Sequence, residues 1–178
     1  MNTAPRPALQ RTLHTEADTL ALGAALARTV PGGAGDALVV YLQGELGSGK
    51  TTLARALLRE LGAQGTVRSP SYTLVESYEL AACRALHLDL YRLRDAAELE
   101  HLGLRDELRA GVLLLVEWPE RAASALPVPD LRILLSIDEG AVQPGRQARL
   151  SAVSAVGQSW LEGLRASEPA GTVSSYPA

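Results

Sequence analysis

Residues 44–51 read GELGSGKT, and no other feature constrains this chain so tightly. Gly44, Gly49, Lys50 and Thr51 satisfy G-x-x-x-x-G-K-[ST]. The physical reading of that pattern is a glycine-rich turn whose backbone N–H groups face inward and cradle phosphates. It demands a buried strand before the turn and a helix after it. ALVVYLQ (37–43) supplies the strand and KTTLARALLRELG the helix, ended by Gly62. Gly44, Gly47 and Gly49 let the backbone wrap closely. Lys50 reaches the β- and γ-phosphates as a compact point charge, and Thr51 offers a hydroxyl to Mg²⁺. Lys50 is also the only lysine in the chain; all other basic residues except three histidines are arginine. A broad, planar guanidinium fits poorly in a tight backbone cradle, so the motif holds its lysine where composition would otherwise place arginine.

The remaining pattern sets the class. Thr15 can cap a helix over about 16–29, with Leu20, Leu22, Leu26 and Val30 on or near one apolar side. Residues 73–80 and 84–91 alternate and read as two strands of a hairpin, and 95–104 as a helix capped by Asp95. VLLLVEW (112–118) is the strongest buried-strand signal. Residues 130–138 and 148–154 read as strands and 157–165 as a last helix, while residues 1–10, with two prolines, read as a loose arm. Strands alternating with helices predict an α/β fold: a three-layer sandwich with a mostly parallel central sheet, an added hairpin and helices on both faces. The domain is expected to span 1–165, with a disordered tail over 166–178.

Composition excludes several classes. A net charge of −3 leaves no electrostatic footprint for stable nucleic-acid binding. The single cysteine, Cys83, cannot form an internal disulfide. No apolar run approaches the ~18 residues of a membrane span, and the N-terminus MNTAPRPALQ has no signal-peptide core. The expectation is a cytoplasmic protein.

Two acids are candidate partners of the phosphate loop. Glu117 directly follows the apolar run 112–116, at the C-terminal end of a buried strand, where doubly wound sheets bind ligands. Asp89 shares one strand face with His87 and Tyr91 by alternation; that face either lines a site or is a solvated edge. His87 by itself reads as structural, and Trp118 as either a stacking residue at the site or a core aromatic. The hydroxyl-rich loop 69–73, SPSYT, stands where GTPase-like proteins carry a switch loop, although Ser-Pro also simply makes turns.

These segments together resemble the TsaE (YjeE-type) family of small bacterial P-loop ATPases. The resemblance is carried by GELGSGKTTLAR (44–55), VRSPSYTLVESY (67–78), HLDLYRL (87–93), LLVEWPER (114–121) and GRQARLSAVS (145–154), in family order. It implies a Mg²⁺-dependent ATPase that is needed, with partners TsaB and TsaD, to form N6-threonylcarbamoyladenosine at position 37 of tRNAs reading ANN codons. Contact with tRNA would be indirect, through the partners. The resemblance implies ATP contacts by Glu45, Leu46, Gly47, Ser48, Gly49, Lys50, Thr51 and Thr52, and also by Thr15, Glu16 and Arg146. Lys50, Asp89 and Glu117 would carry the chemistry, with Thr51, Glu117 and Asp89 as candidate Mg²⁺ ligands. Ser71 departs from the family's commoner threonine but keeps the hydroxyl. Two rival readings are a small-molecule kinase, with Arg92, Arg94 and Arg105 imitating a lid, and a nucleotide-sensing adaptor.

Overall fold

The computed structural model describes residues 8–32, 36–95, 97–101, 103–138 and 145–167. Their elements run β1 (Ala8–Leu13), α1 (Glu16–Arg28), β2 (Leu38–Gln43), α2 (Lys50–Glu60), β3 (Val75–Glu79) and β4 (Arg84–Asp89). These are followed by α3 (Ala97–His101), α4 (Leu104–Glu107), β5 (Val112–Glu117), a 3₁₀ turn (Pro119–Ala122), β6 (Leu131–Asp138), β7 (Gly145–Ala152) and α5 (Ala155–Ala166). The seven strands form one mixed sheet in the order β1-β7-β6-β2-β5-β4-β3. Its four central strands, β6, β2, β5 and β4, are parallel. The expected hairpin is β3–β4, and a second antiparallel flank, β6–β7–β1, extends the other side.

β2 and β5 are buried along nearly their whole length, as continuous apolar runs between two helical layers should be. Alternate residues of each strand feed two separate cores. Leu38, Val40, Leu42, Leu113 and Leu115 pack with α1, α2 and α5. Val39, Tyr41, Leu114, Val116, Leu86 and Leu88 pack with α3, α4 and the 3₁₀ turn. Helices therefore cover both faces, as the sequence pattern predicts. The sheet is stitched at Asp130. Its carboxylate accepts from Val39 N (2.9 Å) and Ser154 Oγ (2.5 Å), joining β2 to the start of α5.

Four expectations need correction. Residues 8–10 are not a loose arm: they open β1, which pairs antiparallel with β7 from Ala8↔Ser151 to Leu13↔Arg146. The reason is non-local, since β7's free edge supplies the partner. Residues 1–7 of that arm and 168–178 of the proposed tail lie outside the described residues. The apolar stripe of α1 runs through Thr19, Leu22, Gly23, Leu26 and Ala27, while Leu20 is 38% exposed. The helix predicted over 95–104 starts two residues later and breaks at Gly103, whose φ of 62° ends α3 and turns the chain into α4. β4 is not an edge strand, because β3 covers it.

No helix among the described residues is long and apolar enough to cross a membrane. α1 lies against α2 at Gly23, where an added Cβ would stand 2.6 Å from Ala56 Cβ and 2.7 Å from Leu53 O. This close approach holds the N-terminal turn of α1 beside the phosphate loop. Gly23→Val is expected to destabilise the protein by about 2–4 kcal/mol, since backbone must move to admit the side chain. Urea unfolding checks this; an unchanged midpoint would show that α1 can shift freely.

Candidate active site

β2 ends at Gln43, and the chain turns at once into residues 44–49. Gly44 has φ 137°, and a Cβ there would lie 2.1 Å from the Leu135 carbonyl of β6, so only glycine fits. Gly49, at φ 104°, is the N-cap of α2. No side chain caps this helix, and no acid sits in its first turn. The free N–H groups and the positive end of the helix dipole are thus left pointing at a ligand position.

Lys50 is buried at the floor. Its Nζ donates to Gly44 O (2.7 Å) and Glu45 O (2.8 Å), with Ser48 Oγ at 3.4 Å, and lies 3.9 Å from the centre of the Trp118 ring. Loss of solvent pushes its ammonium below the usual lysine pKa; the charges of Glu117, Glu120, Asp89 and Glu45 act in the opposite direction. Trp118 adopts φ 58°, the left-handed region, immediately before Pro119. For a bulky residue this conformation stores roughly 1–3 kcal/mol, and it swings the indole over Lys50 and against Tyr91, 5.1 Å between ring centres. Tyr91 itself lies two residues past the end of β4.

The two acids meet because of strand register. Asp89 and Glu117 are direct partners in the parallel β4–β5 ladder, so both leave the sheet on the α2 side. Both are buried. Glu117 Oε2 accepts from Thr51 Oγ1 (2.8 Å), and its Oε1 lies 2.9 Å from His87 Nε2. Asp89 Oδ2 accepts from both Ser69 and Ser71, the latter at 2.8 Å, and Oδ1 accepts from Tyr91 N (3.0 Å). The loop 69–71 is therefore latched to β4 through Asp89. His87 and Asp89 are buried and Asp89 and Tyr91 line a cleft, so the solvated-edge alternative does not hold.

These groups line a cleft of about 400 Å³ at the C-terminal ends of the parallel strands. Of the residues singled out from sequence, Glu16, Leu46, Gly47, Gly49, Lys50, Thr51, Thr52, Asp89, Glu117 and Arg146 line it. Ser69, Ser71 and Trp118 do so too. Of the residues that the resemblance assigns to ATP or the metal, three side chains do not. Thr15 is engaged with Asp18 in a reciprocal helix cap (3.2 and 2.9 Å). Glu45 turns away and accepts from Ile137 N (3.3 Å), and Ser48 is buried beneath Lys50. Glu45 and Ser48 face the cradle only through backbone. Sequence reasoning missed Thr19, whose buried hydroxyl lines the cleft with no hydrogen-bond partner among the described residues. The available signal was a polar residue at a core position of α1, three and four residues before Leu22 and Gly23. Arg146 enters from β7, with Nη2 3.5 Å from Gly47 O and its buried Nε without a partner among the described residues.

Fold and site together define a P-loop nucleotide-binding α/β protein. The comparisons narrow this. The family model for threonylcarbamoyl adenosine biosynthesis protein TsaE matches residues 13–148, and the chain belongs to that family. It is 50% identical over 102 residues to the tRNA threonylcarbamoyladenosine biosynthesis protein TsaE of Haemophilus influenzae, covering 57% of this chain and 63% of that protein. It is 36% identical over 124 residues to the TsaE of Aquifex aeolicus, covering 68% and 85%. The crystal structure of Bacillus subtilis YdiB superposes with a TM-score of 0.68 over 92% of this chain and 98% of that one; at 24% identity this shows the fold alone.

Of the two tryptophans, Trp118 lines the cleft and Trp160 is fully buried, its N–H on Leu26 O (3.1 Å). A phosphate chain that draws Lys50 off the indole is expected to change Trp118 emission. Titration with ADP should give a signal that survives in Trp160→Phe and vanishes in Trp118→Phe. A signal that persists without Trp118 would mean that ligand enters elsewhere.

Proposed function

We propose that this chain is a Mg²⁺-dependent ATPase of tRNA threonylcarbamoyladenosine biosynthesis, slow alone and completed by partner docking. One observation carries the chemistry: Thr51 Oγ1 and Glu117 Oε2 stand 2.8 Å apart at the foot of the phosphate loop. Adjacent oxygens on an octahedral Mg²⁺ with ~2.05 Å bonds are about 2.9 Å apart, so the donor set fits that ion, directly or through water. No cluster of three or more His, Cys, Asp or Glu able to hold a metal occurs among the described residues. Such a sparse set suits an ion that keeps waters and is held largely by substrate phosphates. When bound, the ion would act as a Lewis acid on the phosphate oxygens.

The chain's own groups divide the rest. Backbone N–H groups of residues 44–51 and the α2 N-terminus hold the β- and γ-phosphates. Lys50 exchanges the Gly44 and Glu45 carbonyls for phosphate oxygen and offsets charge that develops on cleavage. Asp89, braced by Ser69 and Ser71, orients the attacking water or completes the metal shell. Glu16, Thr19 and Arg146 form the opposite wall, where the remainder of the nucleotide would rest.

Two features support slow intrinsic turnover and a partner. Arg146 is the only arginine lining the cleft among the described residues, and it is turned toward the phosphate loop's own Gly47 carbonyl. Leu46, which lines the cleft, is 69% exposed and Tyr72, next to the cleft-lining Ser71, is 85% exposed; partner docking would cover both. TsaB and TsaD are the proposed partners, and tRNA would be reached through them, in keeping with the chain's negative net charge. The kinase reading draws no support from the arginines named for a lid. Arg92 stacks on Tyr72, 4.3 Å from the ring centre, and none of Arg92, Arg94 and Arg105 lines the cleft.

Phosphate release from ATP is expected to be slow for the isolated chain and to change several-fold with a purified TsaB–TsaD pair. Lys50→Ala should abolish it. Asp89→Asn should lower it about 10²–10³-fold while ADP still binds. Turnover indifferent to the pair, accompanied by a phosphorylated small-molecule acceptor, would replace this reading with the kinase. Repeated rounds of tRNA modification supported by a non-hydrolysable ATP analogue would replace it with the adaptor.

A further inference from the structure

We propose that His87 is a positioning residue: it fixes the Glu117 carboxylate so that one oxygen, Oε2, is presented to the cation. This rests on the reading of Glu117 as a Mg²⁺-holding group.

The geometry is specific. His87 is completely buried, and its Nε2 lies 2.9 Å from Glu117 Oε1. Its other ring nitrogen, Nδ1, is buried with no hydrogen-bond partner among the described residues. A proton on Nδ1 would be an orphaned buried donor, which folded proteins avoid. The ring therefore carries its proton on Nε2 and donates it to Oε1. With Oε1 engaged, only Oε2 is left to face Thr51, 2.8 Å away. The result is a relay of two hydrogen bonds across three elements: α2 through Thr51, β5 through Glu117 and β4 through His87.

Strand register explains why β4 can supply this donor. Asp89 is paired with Glu117, and His87, two residues earlier on the same face, is paired with Leu115. The imidazole thus approaches Glu117 along a diagonal of the ladder, within reach of a long side chain. The same strand that places a second carboxylate beside Glu117 also places a donor on it. Without the donor, Glu117 would be held by Thr51 alone, and the buried Asp89 beside it would favour a carboxylate turned away. A nonpolar residue of similar size would fill the core equally well and leave the carboxylate unheld. Hydrogen-bond partners of metal-holding groups typically change metal affinity by about 10–100-fold when removed.

The test separates positioning from packing by measuring binding rather than turnover. ADP affinity is measured calorimetrically in EDTA and in excess Mg²⁺ for the wild type, His87→Leu, His87→Gln and Glu117→Gln. In the wild type, Mg²⁺ should tighten ADP binding. His87→Leu should lose about tenfold of that gain, with affinity in EDTA changed less than twofold. His87→Gln, whose amide N–H reaches nearly to the Nε2 position, should recover most of it. If His87→Leu does not fold, His87→Asn replaces it, because the shorter amide keeps polarity but cannot reach Oε1. A full Mg²⁺ gain in the variants lacking the donor, with the gain lost in Glu117→Gln, overturns the role of His87 alone. Equal weakening with and without Mg²⁺ also overturns it, since that pattern reports a packing defect. No Mg²⁺ gain in the wild type removes the reading of Glu117 and this inference with it.

Discussion

Two buried carboxylates stand side by side because parallel strands β4 and β5 end in register, and the rest of the site compensates for that juxtaposition. Desolvating a carboxylate costs several kcal/mol even after relaxation, and two adjacent ones add repulsion. Each acid has its own donors. Glu117 has Thr51 and His87; Asp89 has Ser69, Ser71 and the Tyr91 backbone. These donors come from a helix, a loop, a neighbouring strand and a strand end. The pair therefore ties together elements that would otherwise meet only through apolar packing. The one buried ammonium, on Lys50, lies within the field of both acids, which counteracts the loss of hydration that burial imposes on it.

The sheet order explains why these groups meet at one edge. β2 is central, with β5 on one side and β6 on the other, all parallel. Gly44 follows β2, Glu117 closes β5 and Asp89 closes β4, so three consecutive strand ends supply the loop and both acids. The other wall is built differently. There the chain uses antiparallel strands, and β7 returns from β6 with Arg146 at its second position, opposite Ile137 and Leu13. The short Gly23 contact swings the start of α1 across the same opening. The cleft is thus half parallel-sheet edge and half antiparallel flank.

Legibility in the sequence followed the range of the interactions involved. The phosphate loop, β2, β5 and α2 were readable because periodicity and turn chemistry are local. Glu117 was readable because a continuous apolar run ends at it. Asp89 was ambiguous. Alternation correctly grouped it with His87, but only the pairing of β3 shows that the strand is internal. β1 was hidden because ALQRTL has little pattern of its own and exists as a strand through the edge of β7. Thr15 was readable as the cap of α1 because that use is local. Thr19, one turn further in, went unread because its place in the cleft is set by how α1 packs and not by local pattern. His87 gave no sign of its partner, because the bond to Glu117 spans 30 residues.

The conformation of Lys50 sets the terms on which a ligand enters. Its ammonium is satisfied by two carbonyls of its own loop and by the face of Trp118. On the proposed function a phosphate would replace those contacts, so the gain on binding would be a difference between two well-satisfied states. Trp118 reaches this position through a left-handed backbone and a following proline, a conformation that surrounding structure must hold in place. The indole also packs on Tyr91, two residues beyond Asp89, and Arg121 lies 5.8 Å from the centre of the Tyr91 ring. Displacement of Lys50 is thereby coupled by contact to an aromatic pair and to an arginine just past β5. A partner that engaged Tyr91 or Arg121 would bias where Trp118 rests, and through it how readily Lys50 leaves its carbonyls. Lys50, the proposed phosphate-binding residue, is thus joined to the partly exposed Tyr91 through the Trp118 indole.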